Sequence, residues 1–350
     1  MRALTTLLFC SAVAAQAPTG GAPAPTGGAQ APAGAAPPPA DANAASAATE
    51  PAADVVDDEA LLARIEAACE RLRVGGELRS VAALRDGAAG RRCALPTVPP
   101  RTTPLPPPQL REAVLGSTCI VGHYYRCDSC DGWHFTASTG FAVARDGVVA
   151  TCWHLLEDDG PPALPSLPSL LAVADWQGRV AAVTAVLAAD PDRDVAVLRC
   201  TATDLQPLPL RTARTGERVW CLSNPDHMFA TFSEGLLARR YVVRGPAPGT
   251  GAPAGPDATR PAAGAAHAPV PLPVGPGREF LQVTCDFGAG SSGAPIVDQC
   301  GNLVGIAQST ATVVADPTAA VAETQMVART AVPADALAAL LRAAAAVRSR

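Results

Sequence analysis

Three short segments constrain this chain most, because each sets a chemistry-bearing side chain beside a strand-like apolar run. They are Ala150-Thr151-Cys152-Trp153-His154-Leu155, then Asp192-Arg193-Asp194-Val195-Ala196-Val197-Leu198, then Gly288-Ala289-Gly290-Ser291-Ser292-Gly293-Ala294-Pro295. They sit within a series of short apolar or β-branched runs broken by Gly, Asp and Pro. The first set comprises Thr118–Val121, Ser138–Ala144, Gly147–Thr151, Leu170–Val173, Val180–Ala188 and Asp194–Cys200. The second comprises Arg218–Leu222, Phe229–Leu237, Arg240–Val243, Phe280–Cys285, Ala294–Asp298, Leu303–Gln308 and Gln325–Ala328. Two groups of about six short strands predict an all-β fold of two packed six-stranded antiparallel β-barrels, with short helices at either end.

The rest of the chain falls around this unit. Residues 1–17 read as a secretory signal peptide: Arg2, a short apolar core from Ala3 to Ala15, and small residues at Ala12, Ala14, Ala15 and Ala17 for cleavage. The run is too short for a stable membrane anchor, so a secreted or periplasmic location is expected. Residues 18–56 are mostly Ala, Pro and Gly and predict a disordered linker, as does the insertion 244–277. Residues 57–98 form a small helical segment. In it Leu61, Leu62, Ile65, Cys69 and Leu72 fall on one face, acids lie at the start and Gly75-Gly76 at the end. Pro99–Pro108 reads as a stiff spacer. The main domain is expected over 112–332, with barrel 1 about 112–205 and barrel 2 about 206–332, and a C-terminal helix within 333–350. The net charge of −5, without a Lys/Arg stripe, argues against a nucleic-acid partner. Beyond Cys10 in the signal, ten cysteines remain, an even count that suggests disulfides in an exported chain. Cys69 and Cys93 are one candidate staple.

A serine hydroxyl becomes a nucleophile only with a base in reach, a carboxylate to orient that base, and N–H groups aimed at the developing oxyanion. In Gly290-Ser291-Ser292-Gly293 the glycines allow a tight turn on which the N–H groups of Gly290 and Ser292 can converge. Ala294–Asp298, a turn at Gly301-Asn302 and a return run Leu303–Ile306 follow. The segment G-S-S-G-A-P, then I-V-D-x-x-G-N-L-V-G-I, resembles the nucleophile region of trypsin-like serine proteases. It is most similar to the bacterial Deg/HtrA-type branch, here without a PDZ-like segment. Ser138–Val143 with Asp146–Thr151 resembles that branch's approach to its histidine, Asp194–Leu198 its D-L-A-V-L strand, and Ala331-Val332-Pro333 the run before its last helix. The order His…Asp…Ser is that of this group and not of the α/β-hydrolases or subtilisins. The similarity covers roughly 112–342. It implies a secreted serine endopeptidase acting on proteins or peptides, with Ser292 as nucleophile, His154 as general base and acid, Asp194 as its orienting carboxylate, and the Gly290 and Ser292 amides as oxyanion hole.

Several positions depart from the family pattern. Cys152, Trp153 and Leu155 around the histidine, Ser291 in place of Asn or Asp, and Ala294 in place of Gly are unusual, but none removes a reacting group. Asp286, six residues before Ser292, has the offset of a primary specificity pocket; the alternative is a strand-end role, which leaves small or apolar side chains before the cut. Cys127-Asp128-Ser129-Cys130 with His134 is open to two readings, a disulfide across a hairpin tip or a zinc site with His123 as fourth ligand. No other cofactor is implied. Two alternatives stand beside the hydrolase: an inactive trypsin-fold binding protein, and a metal-binding secreted domain centred on the cysteine pair.

Overall fold

The computed structural model describes residues 55–130, 132–157, 167–201, 203–244, 277–315 and 324–342. The expected signal peptide, nearly all of the linker, almost the whole 244–277 insertion and the end of the C-terminal helix lie outside them.

The chain enters through α1 (Asp58–Val74), which starts where the Asp57 carboxylate accepts the Ala60 N–H at 2.9 Å. Asp58 and Glu59 lie at its positive end, and Arg71 and Arg73 at its negative end. A short strand, β1 (Arg79–Ser80), leads into α2 (Val81–Arg85). The proline-rich stretch is not a spacer throughout. It opens α3 (Pro107–Leu115), because a proline in a first helical turn lacks an N–H that has no intrahelical acceptor anyway.

Barrel 1 follows: β2 (Thr118–Arg126), β3 (Trp133–Ala144), β4 (Val148–Thr151), the one-turn α4 (His154–Glu157), β5 (Leu170–Ala174), β6 (Val180–Asp190) and β7 (Val195–Cys200). The six pair as β5-β2-β3-β4-β7-β6, and β6 returns to β5 through Ala172–Ala174, closing an antiparallel ring. The N-terminal β1 adds to β5 at Leu170 and Leu171. Barrel 2 contains β8 (Arg218–Ser223), β9 (Thr231–Val243), β10 (Arg278–Val283), β11 (Pro295–Val297), β12 (Leu303–Val314) and β13 (Thr324–Pro333), closed in the order β10-β13-β12-β11-β8-β9. The helix α5 (Ala334–Leu340) completes the described chain. The expected pair of six-stranded barrels is present. No helix among the described residues is long and apolar enough to cross a membrane.

Each barrel buries its own apolar interior, and a third cluster joins them. It packs Phe141, Val143, Ala150 and Cys152 of barrel 1 against Trp220, Leu222, Val297 and Ile306 of barrel 2, with Leu110 of α3 and Leu337 of α5. A fourth cluster sets Leu61, Ile65 and Cys69 of α1 on Ile120, Tyr124, Phe135 and Phe229. The helix is thus part of the main domain.

The cysteines depart from expectation: all ten in the described residues are free. The suggested Cys69–Cys93 staple does not form, because Cys69 lies under α1 while Cys93 packs beside Leu340 and Leu341. Burial pushes the Cys69 and Cys200 thiols up to about 12 and holds Cys119 and Cys152 well above their usual value, while the hydrogen bond with Cys285, and then burial, raises Cys221. Such thiols stay neutral and pack as small apolar groups. Ile65 is fully buried beneath α1. Ile65→Ala should therefore cost about 2–5 kcal/mol and lower the thermal unfolding midpoint measured by circular dichroism. An unchanged midpoint would show that α1 is not integral to the domain.

Candidate active site

The three marked segments meet where the barrels face each other. His154 opens α4 just after β4; Asp194 ends a 3-10 turn (Pro191–Arg193) just before β7; Ser292 lies in the loop before β11. Asp194 adopts a left-handed backbone (φ 56°, ψ 49°), which only the surrounding structure can enforce at a non-glycine residue. That turn aims its carboxylate at one residue twice. Oδ1 accepts the His154 backbone N–H at 2.8 Å, and Oδ2 accepts from the ring Nδ1 at 2.8 Å. With Nδ1 protonated toward the carboxylate, Nε2 is the lone-pair nitrogen, and Ser292 Oγ lies 2.9 Å from it. Asp194 is nearly buried, while the imidazole is 39% exposed and open to an incoming group. The arrangement can pass a proton from hydroxyl to imidazole and stabilise the cation that results.

The neighbouring acids are used otherwise. Asp190 caps the 3-10 turn, accepting from the Arg193 N–H at 3.1 Å and pairing with its guanidinium at 2.8 Å. Asp192 contributes only a backbone carbonyl, to Arg278. Ser291, the competing serine, is fully buried, and its Oγ accepts the Gly288 N–H at 3.1 Å, tying off the loop.

That loop is held by residues the sequence did not single out. The Thr139 N–H donates to Ser292 O at 3.0 Å, and Thr139 Oγ1 donates to Gly290 O at 3.1 Å. Thr139 is itself gripped: Thr151 Oγ1 donates to its carbonyl at 2.7 Å and Asn224 Nδ2 to its hydroxyl at 3.1 Å. A Cβ on Gly293 would lie 2.2 Å from both Thr139 O and Thr151 Oγ1, so only glycine admits this approach of the barrels. The Ala289 carbonyl accepts the Asp226 N–H at 2.8 Å. Since C=O and N–H oppose one another across a trans peptide, this turns the Gly290 N–H away from Asp226. Among the described residues nothing accepts from the N–H groups of Gly290 or Ser292. The sequence signal for Thr139 was only its place in the family-like run Ser138–Val143, among other polar residues of the same strand such as Thr136 and Ser138.

With this geometry in place, comparison identifies the fold family. Residues 138–306 match the family profile of the trypsin-like peptidase domain. These residues resemble a trypsin-like peptidase domain. No curated protein matches it significantly. Among solved structures, the HtrA-type protease AlgW with a tripeptide is similar at 16% identity and a TM-score of 0.45, over 68% of this chain and 63% of that one, under two thirds of its length.

Two further details distinguish this trypsin-like domain. Cys152 lies beneath the triad-like residues, its thiol donating to Ala307 O at 3.3 Å; burial first, and the Asp194 charge second, keep it neutral. Trp153, bulky for its place, is absorbed by the barrel 1 core beside Val81 and Leu84 of α2. The Asp286 side chain is 78% exposed and paired with Arg329 at 2.6 Å. His123, offered as a fourth metal ligand, is buried and its Nε2 meets Leu155 O at 2.7 Å, away from the cysteine pair. A cavity of about 490 Å³ at the edge of barrel 1, lined by Cys119, Trp176, Arg179 and Asp204 among others, includes none of the residues discussed above as the site.

Gly293→Ala should force the seam at Thr139 apart. The expected result is a lower unfolding midpoint together with loss of serine-reactive probe labelling, read by fluorescence after gel separation. Wild-type labelling by the variant would contradict the contact.

Proposed function

We propose that the chain is a serine endopeptidase that cleaves peptide bonds through an acyl-enzyme. The observation that carries this reading is the unbroken run from the Asp194 carboxylate through both nitrogens of His154 to Ser292 Oγ, with steps of 2.8 and 2.9 Å. Ser292 attacks the scissile carbonyl while His154 Nε2 takes its proton. The Gly290 and Ser292 N–H groups receive the oxyanion. His154 then protonates the leaving amine, and water repeats the sequence to release the acid. Asp194 remains ionised and holds the ring in the tautomer the first step requires.

The substrate proposed is an extended peptide. Strand β12 pairs with β11 only through Leu303–Ile306, yet continues to Val314, so its later edge on that side is without a described strand partner. Gln308 O lies 3.4 Å from Ser292 Oγ, which brings that edge to the nucleophile. A peptide adding to the edge would present its carbonyl there. With Asp286 exposed and neutralised by Arg329, small or apolar residues before the cut are proposed. Export is proposed from the leader-like pattern of residues 1–17.

Ser292→Ala should abolish fluorophosphonate labelling and lower kcat on the order of a million-fold, whereas Ser291→Ala should still label. Equal labelling of Ser292→Ala and wild type removes Ser292 as nucleophile. Asp194→Asn should lower kcat by about 10⁴, because the ring then loses its required tautomer. For specificity, Asp286→Asn should leave the cleavage profile of a peptide library unchanged. A loss of cleavage after Arg or Lys in that variant would restore Asp286 to the pocket.

A further inference from the structure

The turn between β2 and β3 gathers three soft ligands on one face, apart from the peptidase site. Cys127 Sγ, Cys130 Sγ and His134 Nε2 all lie within 4.8 Å of one another, and Cys130 Sγ is 2.9 Å from His134 Nε2. The Cys127 N–H donates to Gly132 O at 2.8 Å, which closes the turn and brings the two thiols of the Cys-x-x-Cys pair together. Both ligand types already have outer partners. The Ser129 N–H donates to Cys127 Sγ at 3.4 Å, the kind of contact that favours a thiolate. On the far side of the imidazole, Glu66 Oε1 of α1, which accepts the Phe135 N–H at 3.2 Å, stands 3.9 Å from His134 Nδ1, so a small shift of the ring would bring it within reach of the hydrogen bond a carboxylate makes to a metal-bound histidine.

The turn also keeps space free. A Cβ on Gly132 would come to 3.3 Å from both Cys130 Sγ and His134 Nε2, crowding the two donors. In a tetrahedral site with bonds of about 2.3 Å to sulfur and about 2.0 Å to nitrogen, donors stand about 3.6 Å apart. The imidazole has to draw back by less than about 1 Å to admit an ion. The donors are half-buried to exposed, so an ion can enter from solvent.

From these contacts we infer that Cys127, Cys130 and His134 bind a zinc ion, with Glu66 as the carboxylate behind the histidine and water in the fourth position. Two thiolates and an imidazole on a short turn suit zinc over oxygen-seeking cations such as Mg²⁺ or Ca²⁺. Binding displaces the two thiol protons to solvent and involves no change of oxidation state. The ion fastens the β2–β3 turn to α1. That junction is already prepared by the Tyr124 hydroxyl donating to Glu70 at 3.0 Å and by Arg73 stacked over Trp133 at 4.6 Å. From His134 the strand β3 runs directly to Thr139, the residue that holds the Ser292 loop. The ion therefore steadies a structural path to the nucleophile without touching it. This inference does not depend on the peptidase reading.

The test uses the full chain purified without chelator. Elemental analysis should find stoichiometric zinc, unchanged in Ser292→Ala and lost in Cys130→Ser. Exchange with Co²⁺ should give the thiolate-to-cobalt charge-transfer band of a tetrahedral site. Glu66→Gln should weaken Co²⁺ binding by about 10- to 100-fold while leaving that band in place, a combination that a purely structural role for Glu66 would not produce. The cobalt spectrum of the wild-type chain decides the matter even if a cysteine variant misfolds. Zinc retained by Cys130→Ser, a cobalt spectrum without the thiolate band, or a Cys127–Cys130 disulfide in the non-reduced peptide map would each overturn the inference.

Discussion

The geometry of the site rests on the seam at Thr139. Apolar packing between the barrels is strong but non-directional, and it cannot by itself set a hydroxyl against an imidazole to within a fraction of an ångström. The Thr139 N–H and hydroxyl do so by holding the carbonyls of Ser292 and Gly290, one on each side of the loop's turn. Thr151 and Asn224 then fix Thr139 from barrel 1 and barrel 2 respectively. Gly293 is the residue whose missing side chain lets this network close.

The second fixed point is the carboxylate of Asp194. It binds both the backbone and the ring of His154, so the imidazole is oriented by a group within its own barrel. Ser292 is delivered by the other barrel. The two halves are thus fixed separately, and the contact from His154 Nε2 to Ser292 Oγ joins them across the barrels, beside the Thr139 network. Cys152, buried and neutral below the pair, adds no second anion beside Asp194.

The N-terminal segment is built into barrel 1 and does not merely lean on it. It supplies β1 to the edge of β5, places α2 against Trp153 and Leu156, and packs α1 on the outer face of β2 and β5. Arg85 of α2 reaches the carbonyls of Leu156 and Glu157, at the end of the turn that begins with His154. The segment thereby extends the framework around the imidazole, and the β2–β3 turn joins the same framework through Glu66.

Much of the fold was legible because its signals are local. Alternating apolar runs, Gly and Asp breaks and the helix patterning of Leu61, Ile65 and Cys69 are set by near neighbours in the chain, and they predicted two six-stranded barrels and a packed helix. The onset of α3 at Pro107 was missed because the surrounding prolines masked a permissible first turn. The cysteines misled for a different reason: an even count does not say which thiols are bonded, and even Cys221 and Cys285, which share one core cluster, are free. Asp286 was ambiguous because its offset from Ser292 fixes a distance along the chain and not a side of the barrel.

What the sequence determined alone was the local setting of His154, Asp194 and Ser292, each next to a strand, since covalent neighbours dictate it. Which groups meet was decided by the tertiary structure. Imidazole and serine hydroxyl are 138 residues apart in the chain, and no local pattern encodes a contact across two barrels. Thr139 gained its role through hydrogen bonds that exist only once the barrels have docked.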